Sequence, residues 1–206
     1  MFNKIKNYFN KRKLKDNKYL YLFDSCIKDE YVCFDCETTG LNVQKDDIIS
    51  IGAVIIKNNR IISSRRFVKY IKPKTKLQEE AIKIHHIREC DLKEAEEIEK
   101  VIDEFLKFIG NRKLVGYFLE FDIAMINKYL KPKLGIKLPN RAYEVSAIYH
   151  DWKIEKIPQS NIDLRFDTIL SELEIPNMGK HDAYNDAIMT AMMFIKLKNQ
   201  PKVKIK

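Results

Sequence analysis

The tract Ile48-Ile49-Ser50-Ile51-Gly52-Ala53-Val54-Ile55-Ile56-Lys57 constrains the fold of this chain most strongly, because of where it lies between its neighbours. Its β-branched residues predict a strand. Asn58-Asn59 then gives a hairpin signal, and Arg60 to Ile71 returns as the next strand, ended by Pro73. Ahead of the tract, residues 31–36 form a first strand. Three sequential strands joined by short turns predict an antiparallel meander. The rest of the chain reads as mostly helical. Leu77 to Ile84 is a short helix, and Asp91 caps a longer one that runs through Ile109. A fourth strand at Lys113 to Tyr117 precedes a helix from about Phe121 to Leu130, and Pro132, Gly135 and Pro139 make a loop. Arg141 to Trp152 is a fifth strand running into a helix. A further helix from Asn161 or Asp163 to Leu173 follows, and Asp182 caps the last one. This order predicts an α/β domain with a mixed five-stranded central sheet flanked by helices.

The end of the first strand carries the chemistry. Phe34-Asp35-Cys36-Glu37-Thr38-Thr39-Gly40 places carboxylates at i and i+2, ahead of a glycine turn. Side chains alternate faces along a strand, so Asp35 and Glu37 point the same way. Two carboxylates held that close repel unless a cation sits between them. Mg²⁺ prefers oxygen ligands, often one or two carboxylates plus a substrate phosphate. The pair suggests a metal site that handles phosphate; two solvated acids at a strand end are the plainer alternative. Cys33-Phe34-Asp35-Cys36 spells C-x-x-C, but residues i and i+3 of a strand face opposite ways, so the thiols diverge.

Charge separates the body of the chain from its ends. The net charge is +9, with +6 in residues 1–20, +5 in residues 196–206 and −2 between them. Basic ends of this kind suit a polyanion and equally suit simple solubility. Residues 1–29 read as a basic N-terminal helical extension, with Phe2, Ile5, Phe9 and Leu14 at helical spacing among lysines, then a linker over 16–30. The body is 30–198, and 199–206 is a basic C-terminal tail. No apolar run is long enough to span a membrane, and the N-terminus lacks a signal-peptide core, so the expected compartment is the cytoplasm, with no membrane partner.

Three more polar residues complete a pattern. Asp122 follows the fourth strand and meets Asp35 and Glu37 if that strand lies parallel beside the first. Asp186 lies one turn into the last helix. His181, five residues earlier, can face the same site only from a loop that folds back. Asp35-x-Glu37-Thr38-Thr39-Gly40, Phe121-Asp122 and His181-x-Ala183-x-x-Asp186 together resemble the DEDD superfamily of 3′–5′ exonucleases, in its histidine-bearing branch. That branch includes the proofreading subunit of bacterial replicases, ribonuclease T and oligoribonuclease. The resemblance implies a ribonuclease H-like fold and release of nucleoside 5′-monophosphates from 3′ ends. It also implies two divalent cations, Mg²⁺ or Mn²⁺, held by Asp35, Glu37, Asp122 and Asp186, with His181 as the base. By the family's pattern, Thr38, Thr39, Gly40, Leu41, His85 and Phe121 contact the terminal nucleotide.

The chain departs from the pattern at Tyr117-Phe118-Leu119-Glu120, where family members carry polar residues, and at His85-His86-Ile87-Arg88 in place of His-Gly-Ile-Thr. The expected activity is metal-dependent 3′–5′ exonucleolysis of single-stranded or frayed DNA, with a replicative polymerase as a candidate partner. Two alternatives stand beside it. One is a 3′–5′ exoribonuclease or oligoribonuclease-type enzyme, since side-chain identities do not reveal contacts to a 2′-OH. The other is a non-catalytic nucleic-acid or replisome-binding module on the same fold.

Overall fold

The computed structural model describes residues 2–154 and 161–201, with side chains from residue 7 onward. The side chains of Phe2 and Ile5, and the basic tail from residue 202, lie outside the described residues. Five strands form one sheet in the order β3-β2-β1-β4-β5: β1 Glu30–Thr38, β2 Ile48–Lys57, β3 Arg60–Tyr70, β4 Lys113–Gly116 and β5 Ala142–Glu144. β1 and β2 pair antiparallel, as do β2 and β3, whereas β4 runs parallel to β1 and β5 parallel to β4. The meander and the mixed sheet are therefore as expected. Asn58 and Asn59 both take positive φ (51° and 59°), which the tight turn between twisted strands requires.

The helices are α1 Phe2–Arg12, α2 Glu79–His85, α3 Ile98–Ile109, α4 Leu119–Leu134, α5 Val145–Ile154, α6 Phe166–Glu172 and α7 Ala183–Lys198. They cover both faces of the sheet, so β2 is buried at every position but Lys57. Alternation along β1 divides two cores. Val32, Phe34 and Cys36 pack with α3 and α4, while Tyr31 and Cys33 pack with α5 and α7. The two thiols of the C-x-x-C thus enter opposite cores, and both are free. Among the described residues, no helix is long and apolar enough to cross a membrane.

Four local expectations change. Asp91 does not cap the long helix; it lies in a 3-10 turn, Glu89–Leu92, where it pairs with Arg88. The chain cannot turn helical there, because Leu92 is buried against Ile49 and Leu77, and Glu96 bridges to Ile71 at the end of the meander. Pro132 lies inside the last turn of α4, where it removes one bond, its own to the Lys128 carbonyl, and Gly135 closes the helix in the left-handed region (φ 74°). Asp163 precedes α6, which starts at Phe166, and ties down Arg165 and Thr168. Residues 16–30 contain a 3-10 helix, Asn17–Phe23, whose Tyr19 and Leu22 enter the core beside α3. Side chains of α1 bond the 137–139 loop: Asn7 to the Pro139 carbonyl at 3.0 Å and Asn10 to that of Lys137 at 2.8 Å.

Candidate active site

β1 outruns its parallel neighbour. Its pairing with β4 covers Tyr31 to Cys33, so Asp35 and Glu37 project beyond the end of β4, on the face that α7 covers. Gly52, opposite Asp35 in the register, lets α7 start directly over β2, because a Cβ there would fall on the backbone of Ala183 and Tyr184. Asp182 caps α7 by accepting from the amides of Tyr184 and Asn185 at 3.1 and 2.9 Å. Asp186, one turn in, thereby reaches the β1 carboxylates. One oxygen from each of Asp35, Glu37 and Asp186 lies within 4.8 Å of the others.

Asp122 stands outside that group of three but lines the same cavity. Its carboxyl is buried near the Cys36 backbone and thiol. The helix that carries it follows Phe118, a left-handed residue (φ 57°), and its first amide, that of Leu119, donates 2.8 Å to Glu144 at the end of β5. His181 also takes a left-handed backbone (φ 64°). This folds the loop back as required, and its amide donates 3.0 Å to Asp186 Oδ2. The other oxygen of Asp186, Oδ1, is buried without a partner.

The cluster resists ionisation. Burial, then Asp122, Glu37 and Asp186, push Asp35 well above the usual carboxylate range. Burial, then Asp186, raises Glu37 to about 7, and burial raises Asp186 to about 6. Burial, then Glu37, pushes Asp122 well up. Burial, followed by Lys180, lowers His181, so its ring is neutral at pH 7.

The cavity has a volume of about 280 Å³ and brings together Asp35, Glu37, Asp122, Asp186, His181, Thr38, Leu41 and Phe121. Thr39 and Gly40 are directed elsewhere. The Thr39 hydroxyl accepts from the Asp47 amide at 3.0 Å and meets Thr75 at 3.1 Å, and a Cβ on Gly40 would lie 2.6 Å from Asp46 Oδ2. His85 lines a neighbouring cavity of about 510 Å³, which shares Lys180 and His181 with the first. Its Nδ1 accepts from the Ile87 amide at 3.0 Å. Its Nε2 is buried near the Thr38 carbonyl, without hydrogen-bond geometry.

The sequence pattern did not assign Tyr117, Phe118, Phe166 or Lys180 to the site, and all four line the cavity. The aromatic substitution at 117–118 was the available signal for the first two. Phe166 comes from a helix whose place only the fold reveals. Tyr117 packs edge-on against Phe166 with ring centres 5.0 Å apart, and Lys180 pairs with Asp167 at 2.6 Å.

Comparison with known proteins agrees with this geometry. The RNase_T family model, described as Exonuclease, matches residues 32–194. The DNA polymerase III subunit epsilon of Aquifex aeolicus is 30% identical over 180 residues, covering 87% of this chain and 86% of that protein. The PolC-type DNA polymerase III of Caldanaerobacter subterraneus subsp. tengcongensis is 33% identical over 178 residues, 84% of this chain. This chain spans only 12% of that polymerase's length. Among solved structures, E. coli exonuclease I in complex with a dT13 oligonucleotide superposes with a TM-score of 0.71 at 15% identity, over 84% of this chain and 41% of that one. The fold is thus ribonuclease H-like, and the chain belongs to the RNase_T family of the DEDD superfamily, the 3′–5′ exonucleases.

Proposed function

We propose that the enzyme removes nucleotides from the 3′ end of single-stranded or frayed DNA, in the cytoplasm, releasing nucleoside 5′-monophosphates. The observation that carries this reading is the set of three carboxylate oxygens within 4.8 Å, with Asp186 Oδ1 buried and unpartnered. Acids this close stay ionised at neutral pH only with positive charge among them. The donor set is all oxygen, which fits Mg²⁺ or Mn²⁺. Asp35, Glu37 and Asp186 would hold two such ions, with Asp122 completing the set. When bound, the ions supply Lewis-acid activation and neutralise charge at the scissile phosphate.

The chain's own residues do the rest. His181, neutral and at the cavity mouth, takes the proton of the attacking water on its ring nitrogen. The Asp186 contact to the His181 amide fixes the loop that presents the ring. Thr38, Leu41 and Phe121 line the space left for the terminal nucleotide, and Thr39, Gly40 and His85 support it from behind or beside. DNA is favoured over RNA by the relatives, two of which are DNA polymerase III proteins, and by the oligonucleotide bound to exonuclease I. The same relatives suggest a replicative polymerase as partner. Residues 30–198 would form the exonuclease domain, with basic extensions at 1–29 and 199–206.

A single gel tests this reading. It carries 5′-labelled DNA and RNA of matched sequence, with Mg²⁺, Mn²⁺ or chelator, and wild type beside Asp186→Ala. A metal-dependent ladder shortening from the 3′ end of DNA, absent in the variant, is the expected result. Faster loss of RNA would transfer the enzyme to the exoribonucleases, and no shortening of either strand would favour a binding module.

A further inference from the structure

The two most exposed large hydrophobic side chains among the described residues are Leu41, 80% exposed, and Phe118, 66% exposed. Both line the catalytic cavity. Single exposed apolar residues are ordinary, but here the two extremes share one small cavity with the catalytic acids. Phe118 is also held in a conformation that a bulky residue rarely adopts, φ 57° and ψ 31°, at the start of α4. Backbone strain of that kind persists when the surroundings impose it, and it clusters at functional sites. Glu144 accepts from the first amide of α4, so the helix start needs no polar cap at position 118. One face of the ring is backed by Phe121, with centres 6.0 Å apart and planes 22° from parallel. The result is a supported aromatic surface at the edge of a cavity that handles phosphodiesters.

We propose that Phe118, backed by Phe121, is a stacking platform for an unpaired base at the 3′ end, and that it makes the enzyme select unpaired ends. The inference rests on the exonuclease reading of the site. A ring of this kind stacks on any base, so it tolerates sequence while requiring that the base leave its duplex partner. Base–aromatic stacking is strong enough that losing the ring should weaken productive binding about 5- to 150-fold. The positions where this chain replaces the family's polar residues then have a purpose of their own: base contact by stacking.

The test compares wild type with Phe118→Asn, which suits a left-handed backbone but lacks the ring, and with Phe118→Trp, which restores an aromatic face. The substrates are DNA strands ending in normal nucleotides or in 3′-terminal abasic residues. Phe118→Asn should raise KM on normal ends with little change in kcat, and Phe118→Trp should recover it. On abasic ends the three proteins should perform alike. The preference of wild type for single strands over blunt duplex should shrink in Phe118→Asn. Equal losses on normal and abasic ends, or no loss on either, would overturn the platform.

A second readout needs no cleavage. A strand with 2-aminopurine at its 3′ terminus, in chelator, should brighten on binding wild type, as the base leaves its neighbour in the strand for the ring, and much less on binding Phe118→Asn. A signal that depends on Phe118 without any cleavage would keep the platform and refute the exonuclease reading. Cleavage by wild type without such a signal would do the reverse.

Discussion

Two groups of buried carboxylates sit at the same end of β1, and the protein treats them in opposite ways. In the loop entering β2, Asp47 accepts from Lys128 Nζ and Tyr129 Oη through one oxygen, and from the amides of Lys74 and Thr75 through the other. Asp46 accepts from the Asn42 amide at 2.7 Å, Gln78 Nε2 at 3.0 Å and the Thr39 hydroxyl at 3.3 Å. Burial works against the charge of Asp47, yet Lys128, Tyr129 and Thr75 hold its carboxyl below the ordinary value. Across the strand end, Asp35, Glu37, Asp122 and Asp186 have each other as neighbours, and Lys180, whose charge favours an ionised Asp186, is engaged with Asp167. Burial alone does not distinguish a structural acid from a catalytic one. The distinction is whether the chain itself provides the positive charge. The first group fastens the loops behind Thr39 and Gly40; in the proposed function the second takes its charge from bound cations.

Substitutions should separate the groups by type of effect. Asp35→Asn should take exonuclease activity below detection in initial-rate assays, while the thermal midpoint of the metal-free protein holds or rises, because Asn is neutral without the cost of protonating a carboxyl buried among acids. A lower midpoint would show that Asp35 is structural. His181→Ala should cost roughly 10²–10⁴-fold in kcat, as expected for loss of a general base, with circular dichroism melts unchanged. Asp47→Asn should do the opposite. It should lose about 1–3 kcal/mol of stability in denaturant titrations, as Lys128 and Tyr129 lose a charged acceptor, and the folded fraction should keep its turnover.

Metal and pH sharpen the contrast. Mn²⁺ at about 100 times its Kd should stabilise wild type by about 2.7 kcal/mol, and the same addition should leave Asp35→Asn nearly unmoved. In the metal-free protein, Glu37 at about 7 and Asp186 at about 6 bind protons more tightly folded than unfolded. Their contribution is full below the unfolded value of about 4 and declines as pH rises through 6 and 7. Asp47, held low, contributes above its unfolded value and loses that contribution as pH falls through its folded one. Melts of metal-free protein across this range should show the decline at neutral pH. Glu37→Gln should flatten it, and an unchanged slope would remove Glu37 from the cluster.

The same contrast explains what was legible in the sequence. Asp35 and Glu37 share a face because strand geometry is local, and the turn at Asn58-Asn59 and the cap at Asp182 are equally local signals. The approach of Asp122 followed once β4 was taken as parallel to β1. The Asp46–Asp47 network was not legible, because its partners come from three separate segments, around residues 39–42, 74–78 and 128–129. Thr39 fits the family's substrate-contact pattern, but its hydroxyl is spent on that network. The misplaced cap at Asp91 and the docked 3-10 helix at Asn17–Phe23 share one cause, tertiary burial of Leu92, Tyr19 and Leu22 overriding local propensity.

Calorimetric titration of Mn²⁺ into metal-free wild type, Asp186→Ala and Asp47→Asn at neutral pH tests the central claim most directly. The account predicts saturable binding with proton release in wild type and Asp47→Asn, and loss of that binding in Asp186→Ala. Binding unchanged by Asp186→Ala, or abolished by Asp47→Asn in a folded protein, would contradict it.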